Sequence, residues 1–334
     1  MFAITVGSRH KWRVKKAFLL GAGLGTRLKP LTNIVPKPLV PFFHRPLIGH
    51  AALACRELGI HDLAINSHHL PHVWKDPILG IGASDWKKNG EYGGNGIAVE
   101  QGIWEGADVR LFEEPILLET GGGLRNVRKW MGAENVLVHN GDIYSSMDLA
   151  ALIREHEQSG LPVTIALRSN GVAKHIAIDE SKTRVVDIRG KLGRAEGTHV
   201  FSGIYCVNEE IFSYLPDEEI VSVIPAFLQL ALQNKLGAMV MDQGNWFDLG
   251  ERNSYLAAHQ SLGIGEMIHP LAQIDTTYIV ENSAIGMNAI VGKGAIVRNS
   301  ILWPGARVAA DADLDQCIVY SGNECAGFHR NEDL

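Results

Sequence analysis

The chain has 334 residues, of which 46% are hydrophobic and 20% charged, a balance typical of a soluble globular protein with one large and one small domain. A formal net charge of -6 argues against a general nucleic-acid-binding protein. No apolar stretch approaches the roughly 18 residues of a membrane span, and no segment after the basic N-terminus fits a signal peptide. The four cysteines show neither C-x-x-C pairing nor zinc spacing, so we expect free thiols in a cytoplasmic, reducing compartment.

The first predicted element is a buried strand at residues 17–20, preceded by a flexible tail at residues 1–13. A turn with three glycines in five residues, Gly21-Ala22-Gly23-Leu24-Gly25, follows that strand. Glycines let the backbone turn sharply and approach a ligand, and the exposed N–H groups of such a turn suit phosphate oxygens. Arg27 and Lys37 follow and add positive charge. This stretch therefore predicts a phosphate-binding turn.

The glycine turn fits neither of two common phosphate-binding motifs. No Lys follows it in the P-loop frame, and Thr26 stands where the Rossmann fingerprint requires its third glycine. The run G-x-G-T-R-L-x-P-L-T with a nearby P-K-P instead resembles the opening of the sugar-1-phosphate nucleotidyltransferases, the NDP-sugar pyrophosphorylases, and the resemblance covers residues 14–259. It implies that Arg27 and Lys37 are catalytic. It also implies a set of nucleotide-binding residues that begins with Gly21, Ala22, Gly23, Gly25, Thr26, Arg27 and Lys37.

Strand-like and helix-like segments alternate over residues 14–262, which predicts an α/β domain with helices on both faces of the sheet. Strands are predicted at residues 17–20, 63–66, 136–139 and 163–167, and helices at residues 47–58, 124–131, 149–158, 224–233 and 253–259. The resemblance implies that this is a catalytic domain with a Rossmann-like (GT-A-like) mixed sheet. Ligands bind such folds beyond the carboxyl ends of the strands, where the glycine turn lies.

A second glycine-rich turn, Glu119-Thr120-Gly121-Gly122-Gly123, precedes the helix predicted at residues 124–131. In the family the equivalent turn passes under the nucleobase and ribose, so the resemblance places Glu119, Thr120 and Gly121 at the nucleotide. A plain turn that caps the following helix is the alternative. The E-T-G-G-G form looks most like the N-acetylmuramate-1-phosphate uridylyltransferases, and mannose-1-phosphate guanylyltransferases have related turns, so both UTP and GTP stay open.

Two carboxylates follow strand-like segments later in the chain. Asp142 comes after an apolar strand and Gly141, and Asp248 lies in Trp246-Phe247-Asp248-Leu249-Gly250. Nucleotidyl transfer brings two anions together and builds charge on the leaving pyrophosphate, so Mg²⁺ and cationic side chains suit it. The resemblance implies that Asp142 and Asp248 are catalytic and hold Mg²⁺, a hard cation that prefers oxygen ligands. A turn aspartate and a helix N-cap are the respective alternatives.

The sugar-phosphate side departs further from the family pattern. Lys191 lies where the family places a lysine on the sugar phosphate, but the glutamates and the proline of that motif are absent, so an exposed surface lysine is the alternative. The other sugar-phosphate residues that the resemblance implies are Asn140, Gly203 and Trp246. Glu251 replaces the threonine that usually follows the second carboxylate motif.

Several histidines and tryptophans in the same part of the chain could contact a metal or a ligand, or could instead support the fold. The spacing of the histidines matches no zinc signature, so we expect them to hydrogen-bond a loop rather than bind a metal. We expect the tryptophans to pack in the core. The residues concerned are His68, His69, His72, Trp74, Trp86, Trp104 and Trp130.

After residue 263, a junction leads into a segment where an aliphatic residue recurs every six positions, with one slip of phase. Ile268, Ile274 and Val280 belong to the first run, and small residues and glycines fill the gaps. This is the pattern of a hexapeptide β-helix, of about three coils over residues 268–322. The resemblance makes it left-handed. We expect it to mediate self-association without being needed for chemistry, and we expect residues 323–334 to fray as a tail.

The resemblance implies an enzyme that converts an NTP and a sugar-1-phosphate into an NDP-sugar and pyrophosphate, within the synthesis of NDP-sugars for cell-envelope polysaccharide. Its expected partners are these small molecules and other copies of the chain in a homo-oligomer, without nucleic acid or membrane. One alternative is a non-catalytic regulatory or scaffold relative, which the intact charged residues disfavour. Another is a bifunctional enzyme with an acyltransferase in the β-helix, where His269 and His329 stand at the two ends.

Overall fold

The computed structural model describes residues 14–92, 97–262, 266–275 and 279–334. The predicted tail at residues 1–13 lies outside the described residues, and so does residue 263, where the junction was expected to begin. The described chain forms an α/β part and a C-terminal set of short parallel sheets consistent with a β-helix, which confirms the predicted fold class.

The α/β part contains both short and long strands. Its strands are β1 (Lys16–Leu20), β2 (Pro41–Phe42), β3 (Arg45–Pro46), β4 (Asp62–Ser67), β5 (Ser84–Lys88), β6 (Ala98–Trp104), β7 (Ala107–Glu113), β8 (Val136–Asn140), β9 (Ile143–Ser145), β10 (Val163–Arg168), β11 (Ile176–Ile178), β12 (Val185–Ile188), β13 (Val200–Val207), β14 (Leu236–Val240) and β15 (Trp246–Asp248). Its helices are α1 (Leu47–Glu57), α2 (Glu119–Asn126), α3 (Arg128–Met131), α4 (Leu149–Ser159), α5 (Ile224–Leu232) and α6 (Arg252–Ser261).

A nine-stranded mixed sheet in the order β14-β10-β13-β8-β1-β4-β7-β6-β5 organises this part. Strand β1 lies at its centre and pairs in parallel with β4 on one side and β8 on the other. Leu20, the last residue of β1, pairs with Asn66 and with Asn140. The segments that follow these three strands therefore meet at one edge of the sheet.

Helices cover both faces of the sheet, as the alternating sequence pattern predicts. Leu19 of β1 packs with residues of α1, α4 and α6 in one core cluster, whereas Phe18 packs with residues of α2, α3 and α5 in another. Successive side chains of a strand point to opposite faces, so a strand buried on both sides is apolar throughout. Trp74, Trp104 and Trp130 are buried in these clusters and Trp86 packs against one of them, so the packing interpretation of the tryptophans is confirmed.

Most predicted elements agree with the structure. Strands β1, β4, β8 and β10 contain the four predicted strands, and α4 and α6 contain the helices predicted at residues 149–158 and 253–259. Helices α1 and α5 begin where predicted and end one residue earlier. Apolar runs and helical periodicity are local signals, and both were sufficient here.

The helix predicted at residues 124–131 is wrong in its bounds. Helix α2 already begins at Glu119, and a break at Val127 separates it from α3. The N–H groups of Gly121 and Gly122 both donate to the carbonyl oxygen of Val221, at 2.8 and 2.9 Å. A Cβ atom at Gly121 would lie 2.8 Å from that oxygen. The glycines therefore let the first helical turn pack directly on another backbone segment, which offsets their low helix propensity.

The C-terminal part consists of short strands in three parallel sheets. These strands are β16 (Gln273–Ile274), β17 (Ile279–Glu281), β18 (Ala284–Ile285), β19 (Ile290–Val291), β20 (Ile296–Arg298), β21 (Ile301–Leu302), β22 (Arg307–Val308), β23 (Asp313–Asp315), β24 (Ile318–Val319), β25 (Glu324–Cys325) and β26 (Phe328–Arg330). The sheets are β16-β19-β22-β25, β17-β20-β23-β26 and β18-β21-β24.

Successive coils of this β-helix stack in register. Ile290 pairs with Arg307 and Arg307 with Glu324, so one coil spans 17 residues. A coil of three six-residue faces would need 18, which explains the slip in the six-residue period. Ile285, Val291 and Val297 are buried inside the coils, as that period predicts.

The prediction that residues 323–334 fray as a tail is wrong. They contain β25 and β26, and the Leu334 N–H donates to the Ile318 carbonyl oxygen at 2.8 Å. Cys325 is buried inside the coil. The edge of the preceding coil offers unpaired backbone groups, so this segment can pair with it and add a further coil. The polar residues of that coil are exposed or partly exposed.

The β-helix packs on the α/β part through a shared apolar core. Trp303 and Tyr320 of the β-helix belong to the same buried cluster as Tyr255 and Leu256 of α6. All four cysteines of the chain are buried and unpaired. Among the described residues, no helix is both long and apolar enough to cross a bilayer.

Candidate functional site

A cleft of about 420 Å³ opens at the edge of the sheet where β1, β4 and β8 end. Ten of the residues predicted to bind nucleotide, metal or sugar phosphate line it, namely Ala22, Gly23, Gly25, Thr26, Arg27, Lys37, Glu119, Thr120, Asn140 and Asp142. Leu20, Pro38, Asn66, Leu117, Ser222 and Gly250 complete the lining. Two turns far apart in sequence, at residues 21–28 and 117–120, thus face one cavity.

The glycine turn is anchored at its base by a buried polar pair. The Gly21 N–H donates to Oδ1 of Asn66 at 2.8 Å, and Nδ2 of Asn66 donates to Oε1 of Glu114 at 2.9 Å. Glu114 is 2% exposed, and burial raises the pKa of its carboxyl group. A Cβ atom at Gly21 would lie 2.5 Å from the Trp74 ring, so this position requires glycine. The turn is therefore held at Gly21, and the next residues are left to line the cleft.

Sequence reasoning missed Asn66 and Glu114. Asn66 was assigned only to a predicted strand, and its position next to Leu20 became visible only from the pairing of β1 with β4. A polar residue at the end of an otherwise apolar strand was the available signal, since such residues often lie at the ligand-binding edge of an α/β sheet.

Gly25 ends the turn with a left-handed backbone, with a φ of 61°. Its carbonyl oxygen accepts hydrogen bonds from the Thr32 hydroxyl and the Leu28 N–H, both at 3.0 Å. A short 3-10 helix, Thr26–Leu28, then presents Arg27 at the cleft, where its side chain is 63% exposed. Arg27 is therefore accessible to a ligand while the backbone beneath it is fixed.

Lys37 joins the two carboxylates that the resemblance assigned to metal binding. Its Nζ lies 2.6 Å from Oδ2 of Asp142 and 3.3 Å from Oδ1 of Asp248, and its side chain is only 7% exposed. Strand β15 pairs with β9 so that Asp248 stands opposite Ile143, the residue after Asp142. This short antiparallel pairing brings the carboxylates together although the residues are far apart in sequence.

Arg27 extends the same cluster of charges. Its Nη2 lies 3.7 Å from Oδ2 of Asp248, and its Nη1 lies 3.3 Å from Oε1 of Glu251. Gly250 passes so close that a Cβ atom there would lie 2.7 Å from Nη2 of Arg27. Glu251, the departure from the family pattern, is thus a direct partner of Arg27.

The donor set fits a divalent cation. Carboxylate oxygens of Asp142 and Asp248 already converge on one positive group, the Lys37 ammonium. Asp142 lines the cleft and Asp248 contacts Lys37 beside it. Two carboxylates so placed, with phosphate oxygens to complete the shell, suit Mg²⁺. Within the described ranges, no three His, Cys, Asp or Glu residues are grouped to hold a metal.

The second glycine segment places two side chains at the cleft. Glu119 and Thr120 line it, and Oγ1 of Thr120 accepts a hydrogen bond from the Val223 N–H at 3.0 Å. Glu119 has a φ of 60°, a left-handed conformation that favours glycine. Gly121 is not among the residues that line the cleft, and its N–H donates to the Val221 carbonyl oxygen. Gly121 therefore lies beside the cleft, where it allows close packing.

Of the predicted sugar-phosphate residues, three lie at the cleft or near its Asn140 side, and Lys191 does not. Asn140 lines the cleft, and a Cβ atom at Gly203 would lie 2.8 Å from its Nδ2, so Gly203 lies directly beside it. Nε1 of Trp246 donates to the carbonyl oxygen of Ser202 at 2.9 Å, next to Gly203. Lys191 instead is exposed in the turn after β12 and does not line the cleft. Its assignment to the sugar phosphate stays a prediction without a contact to support it.

Two of the three histidines near β4, His68 and His69, hold loops as expected, whereas the expectation for His72 stays a prediction. Nδ1 of His68 hydrogen-bonds with the Glu114 carbonyl oxygen at 2.9 Å, and Nε2 of His69 with that of Thr32 at 2.7 Å. At the ends of the β-helix, His269 packs edge-on against His44, and His329 contacts Glu332 and a backbone carbonyl. These contacts give the histidines structural partners.

A family model described as nucleotidyl transferase matches residues 16–263. A mannose-1-phosphate guanylyltransferase of Arabidopsis thaliana is 25% identical to the chain, over 92% of it and 81% of the relative. One of Mycobacterium tuberculosis is 24% identical over 90% and 83%. A UTP–glucose-1-phosphate uridylyltransferase of Synechocystis is 22% identical over 93% and 88%. These relatives include both guanylyl and uridylyl transferases.

Solved structures show the same fold. A UDP-glucose pyrophosphorylase complexed with UDP-glucose superimposes with a TM-score of 0.57 at 18% identity, covering 73% of this chain and 97% of that one. A UDP-glucose pyrophosphorylase from Acinetobacter superimposes with a TM-score of 0.55 at 21% identity, covering 73% and 92%. At these identities the likeness is one of architecture.

Proposed function

The chain belongs to the nucleotidyl transferase family, and from that premise we propose that it is a sugar-1-phosphate nucleotidyltransferase. The reaction would join an NTP and a sugar-1-phosphate to give an NDP-sugar and pyrophosphate. The observation that carries the proposal is the contact of Lys37 with both Asp142 and Asp248 at the cleft behind the glycine turn. Cations and carboxylates in this arrangement handle phosphates without supplying a nucleophile of their own.

In the proposed reaction an oxygen of the sugar phosphate attacks the α-phosphorus of the NTP in line. The bond from that phosphorus to the β-phosphate oxygen breaks, and pyrophosphate leaves with the electron pair. The attacking oxygen is already ionised near neutral pH, so no general base is needed. Catalysis then depends on bringing the two anions together and on offsetting the charge that builds on pyrophosphate.

The cleft residues divide this work by their chemistry and position. The backbone of the glycine turn offers N–H groups near the triphosphate, and exposed Arg27 can bind phosphate oxygens with two parallel hydrogen bonds. Lys37 is nearly buried and supplies a fixed positive charge beside the reacting groups. Asp142 and Asp248 would hold Mg²⁺, which when bound offsets phosphate charge and helps to orient the triphosphate.

The base and the sugar are the finer part of the proposal. GTP and UTP are the candidate nucleotides, because the relatives named above include guanylyl and uridylyl transferases and the E-T-G-G-G segment resembles both kinds of enzyme. Mannose-1-phosphate and N-acetylmuramate-1-phosphate are the candidate sugars. Glu119 and Thr120 line the cleft, and we propose that they face the nucleoside.

The test is pyrophosphate release by the full chain with Mg²⁺. Each common NTP is combined with mannose-1-phosphate, N-acetylmuramate-1-phosphate or glucose-1-phosphate, and the NDP-sugar is identified by mass spectrometry. We expect release only when both substrates are present, with GTP or UTP preferred, and release slowed on the order of 10²–10³-fold in the Asp142→Asn variant. NTP binding without turnover for any sugar phosphate would contradict the proposal and favour a non-catalytic relative.

A further inference from the structure

Arg252 connects the first turn of α6 to the last residues of the chain. Its guanidinium donates to four acceptors: Oδ1 of Asp333 at 2.6 Å, Oδ1 of Asn331 at 2.7 Å, and the carbonyl oxygens of Gln316 and Glu332 at 2.6 and 3.2 Å. The side chains of Arg252 and Asp333 are 19% and 9% exposed. A planar guanidinium satisfied on several sides fixes its own helix relative to its partners far better than a single surface ion pair.

The segment just before Arg252 belongs to the cleft. Asp248 ends β15, Gly250 lies against Arg27, and Glu251 is the N-cap of α6. The Glu251 carboxylate takes part in a capping box with Ser254 and also contacts Arg27. A shift in the start of α6 would therefore move Asp248 and Glu251 relative to Lys37 and Arg27.

A second contact from the β-helix supports the segment that carries Lys37. Nε1 of Trp303 donates to the Tyr255 hydroxyl at 3.2 Å, and that hydroxyl donates to the carbonyl oxygen of Pro41. Pro41 follows closely on the 3-10 helix Lys37–Leu39. Tyr255 and Trp303 are buried. The β-helix thus braces, through α6, both chain segments that meet at the Lys37–Asp248 contact.

We infer that Arg252 is a positioning residue through which the last coil of the β-helix, and Asp333 in particular, holds Asp248 in place opposite Lys37. The inference rests on the proposed function for its turnover readout only. It replaces the expectation from sequence that the β-helix is not needed for chemistry. The residues that close the coil act on the cleft through α6 and do not line it.

The variant that tests this is Asp333→Ala, with Asp313→Ala as its matched control. Asp313 binds Arg298 and Arg330 within the β-helix, so its loss removes comparable ion pairs from the same coils without touching α6. Arg252→Lys is the third variant, because the three donors of a lysine lie on one nitrogen and cannot span the four acceptors that the planar guanidinium reaches. We expect Asp333→Ala and Arg252→Lys to lower kcat about tenfold and to raise the Mg²⁺ concentration for half-maximal rate, with Asp313→Ala near wild type.

A second readout does not depend on turnover. Hydrogen–deuterium exchange of the backbone amides at residues 245–251 should be faster in Asp333→Ala and Arg252→Lys than in wild type and Asp313→Ala, at a temperature where all four remain folded. If wild type turns over no substrate pair, the proposed function fails while this exchange still tests the inference. Unchanged exchange and kcat in Asp333→Ala would overturn the inference, and so would equal changes in Asp313→Ala, which would indicate a general loss of stability.

Discussion

At the scale of single residues, the two carboxylates at Lys37 are the sharpest test of the site. We expect Asp142→Asn and Asp248→Asn each to lower kcat on the order of 10²–10³-fold, because each removes a charge that would hold the metal beside the developing pyrophosphate. Asparagine has nearly the volume of aspartate, so we expect both variants to keep the fold. Steady-state pyrophosphate release measures the effect, with the exposed Asp108→Asn as a control. A variant with nearly normal kcat would exclude that residue from metal binding.

Arg27 and Glu251 allow a second test, because we expect them to have opposite effects on NTP binding. Arg27 would bind the triphosphate, whereas Glu251, 3.3 Å away, competes for the same guanidinium. We expect Arg27→Ala to weaken NTP binding strongly and Arg27→Lys to restore it only in part, since the lysine lacks the two-pronged geometry. Glu251→Gln should strengthen NTP binding about two- to fivefold, the range of an exposed ion pair.

Isothermal titration with the NTP in the presence of Mg²⁺ measures both effects of the Arg27–Glu251 pair. Titration with the sugar-1-phosphate alone is the control. Weaker binding of the sugar phosphate with unchanged NTP affinity in Arg27→Ala would place Arg27 on the other substrate.

Residues at this scale also show what could be foreseen. The glycine turn, Arg27, Lys37, Asp142 and Asp248 were all named from short motifs, and the structure brings them to one cleft or its rim. Asn66 and Glu114 were not foreseen, because no local pattern marks two polar residues that meet only when β1 and β4 pair. Lys191 was predicted from a motif whose glutamates and proline are absent here, and its side chain is exposed in the structure.

At the scale of elements, the glycine turn separates packing from ligand binding. A Cβ atom at Gly21 would lie 2.5 Å from the Trp74 ring, whereas one at Gly23 meets nothing within 4 Å. We expect Gly21→Ala to lower the free energy of unfolding by about 1–3 kcal/mol through overpacking. Gly23→Ala should leave stability within about 0.5 kcal/mol of wild type but weaken NTP binding, since Gly23 lines the cleft. Urea unfolding and NTP titration on the same two proteins distinguish the effects, and equal losses of stability would contradict this division.

Helix α2 shows why element bounds are harder to predict than element types. Three glycines in succession indicate a turn on helix propensity alone. In the structure they form the first helical turns, because the Val221 carbonyl receives the N–H groups that a helix start leaves free. That partner lies about a hundred residues further along the chain, so tertiary packing overrides the local preference.

At the scale of the whole molecule, buried histidines predict a loss of stability in acid. Burial lowers the pKa of His50, His139 and His156 to about 4 and that of His259 to about 3. In the unfolded chain histidine titrates near 6.5, so below that pH the unfolded state binds protons that the folded state does not. The free energy of unfolding should therefore be level above about pH 6.5 and fall as the pH drops toward 4, on the order of 3 kcal/mol for each histidine.

The melting temperature measured against pH tests this expectation. His156→Gln should make the fall between pH 6.5 and 4 less steep, because glutamine can keep a hydrogen bond to Thr164 without titrating. The exposed His61→Gln is the matched control and should follow the wild-type curve. A wild-type melting temperature that stays constant down to pH 4 would contradict the prediction. It would mean that these histidines bind protons as readily in the folded state as in the unfolded state.

Short stretches of sequence were enough to predict the local features of this protein. Apolar runs marked the central strands, helical periodicity marked most helices, and the six-residue period marked the β-helix. The glycine turn with Arg27 pointed to phosphate binding. Each of these signals lies within a short stretch of chain, where side-chain spacing and backbone freedom decide the local conformation.

The contacts between distant residues depend on the folded chain. Lys37 reaches Asp142 across 105 positions and Asp248 across 211, and Arg252 meets Asp333 across 81. Such contacts depend on strand order, on register and on the stacking of one coil upon the next. A one-residue change in register would turn these side chains to another face, so no local pattern can encode them. The cleft, its buried support and the closure of the last coil are therefore properties of the folded chain.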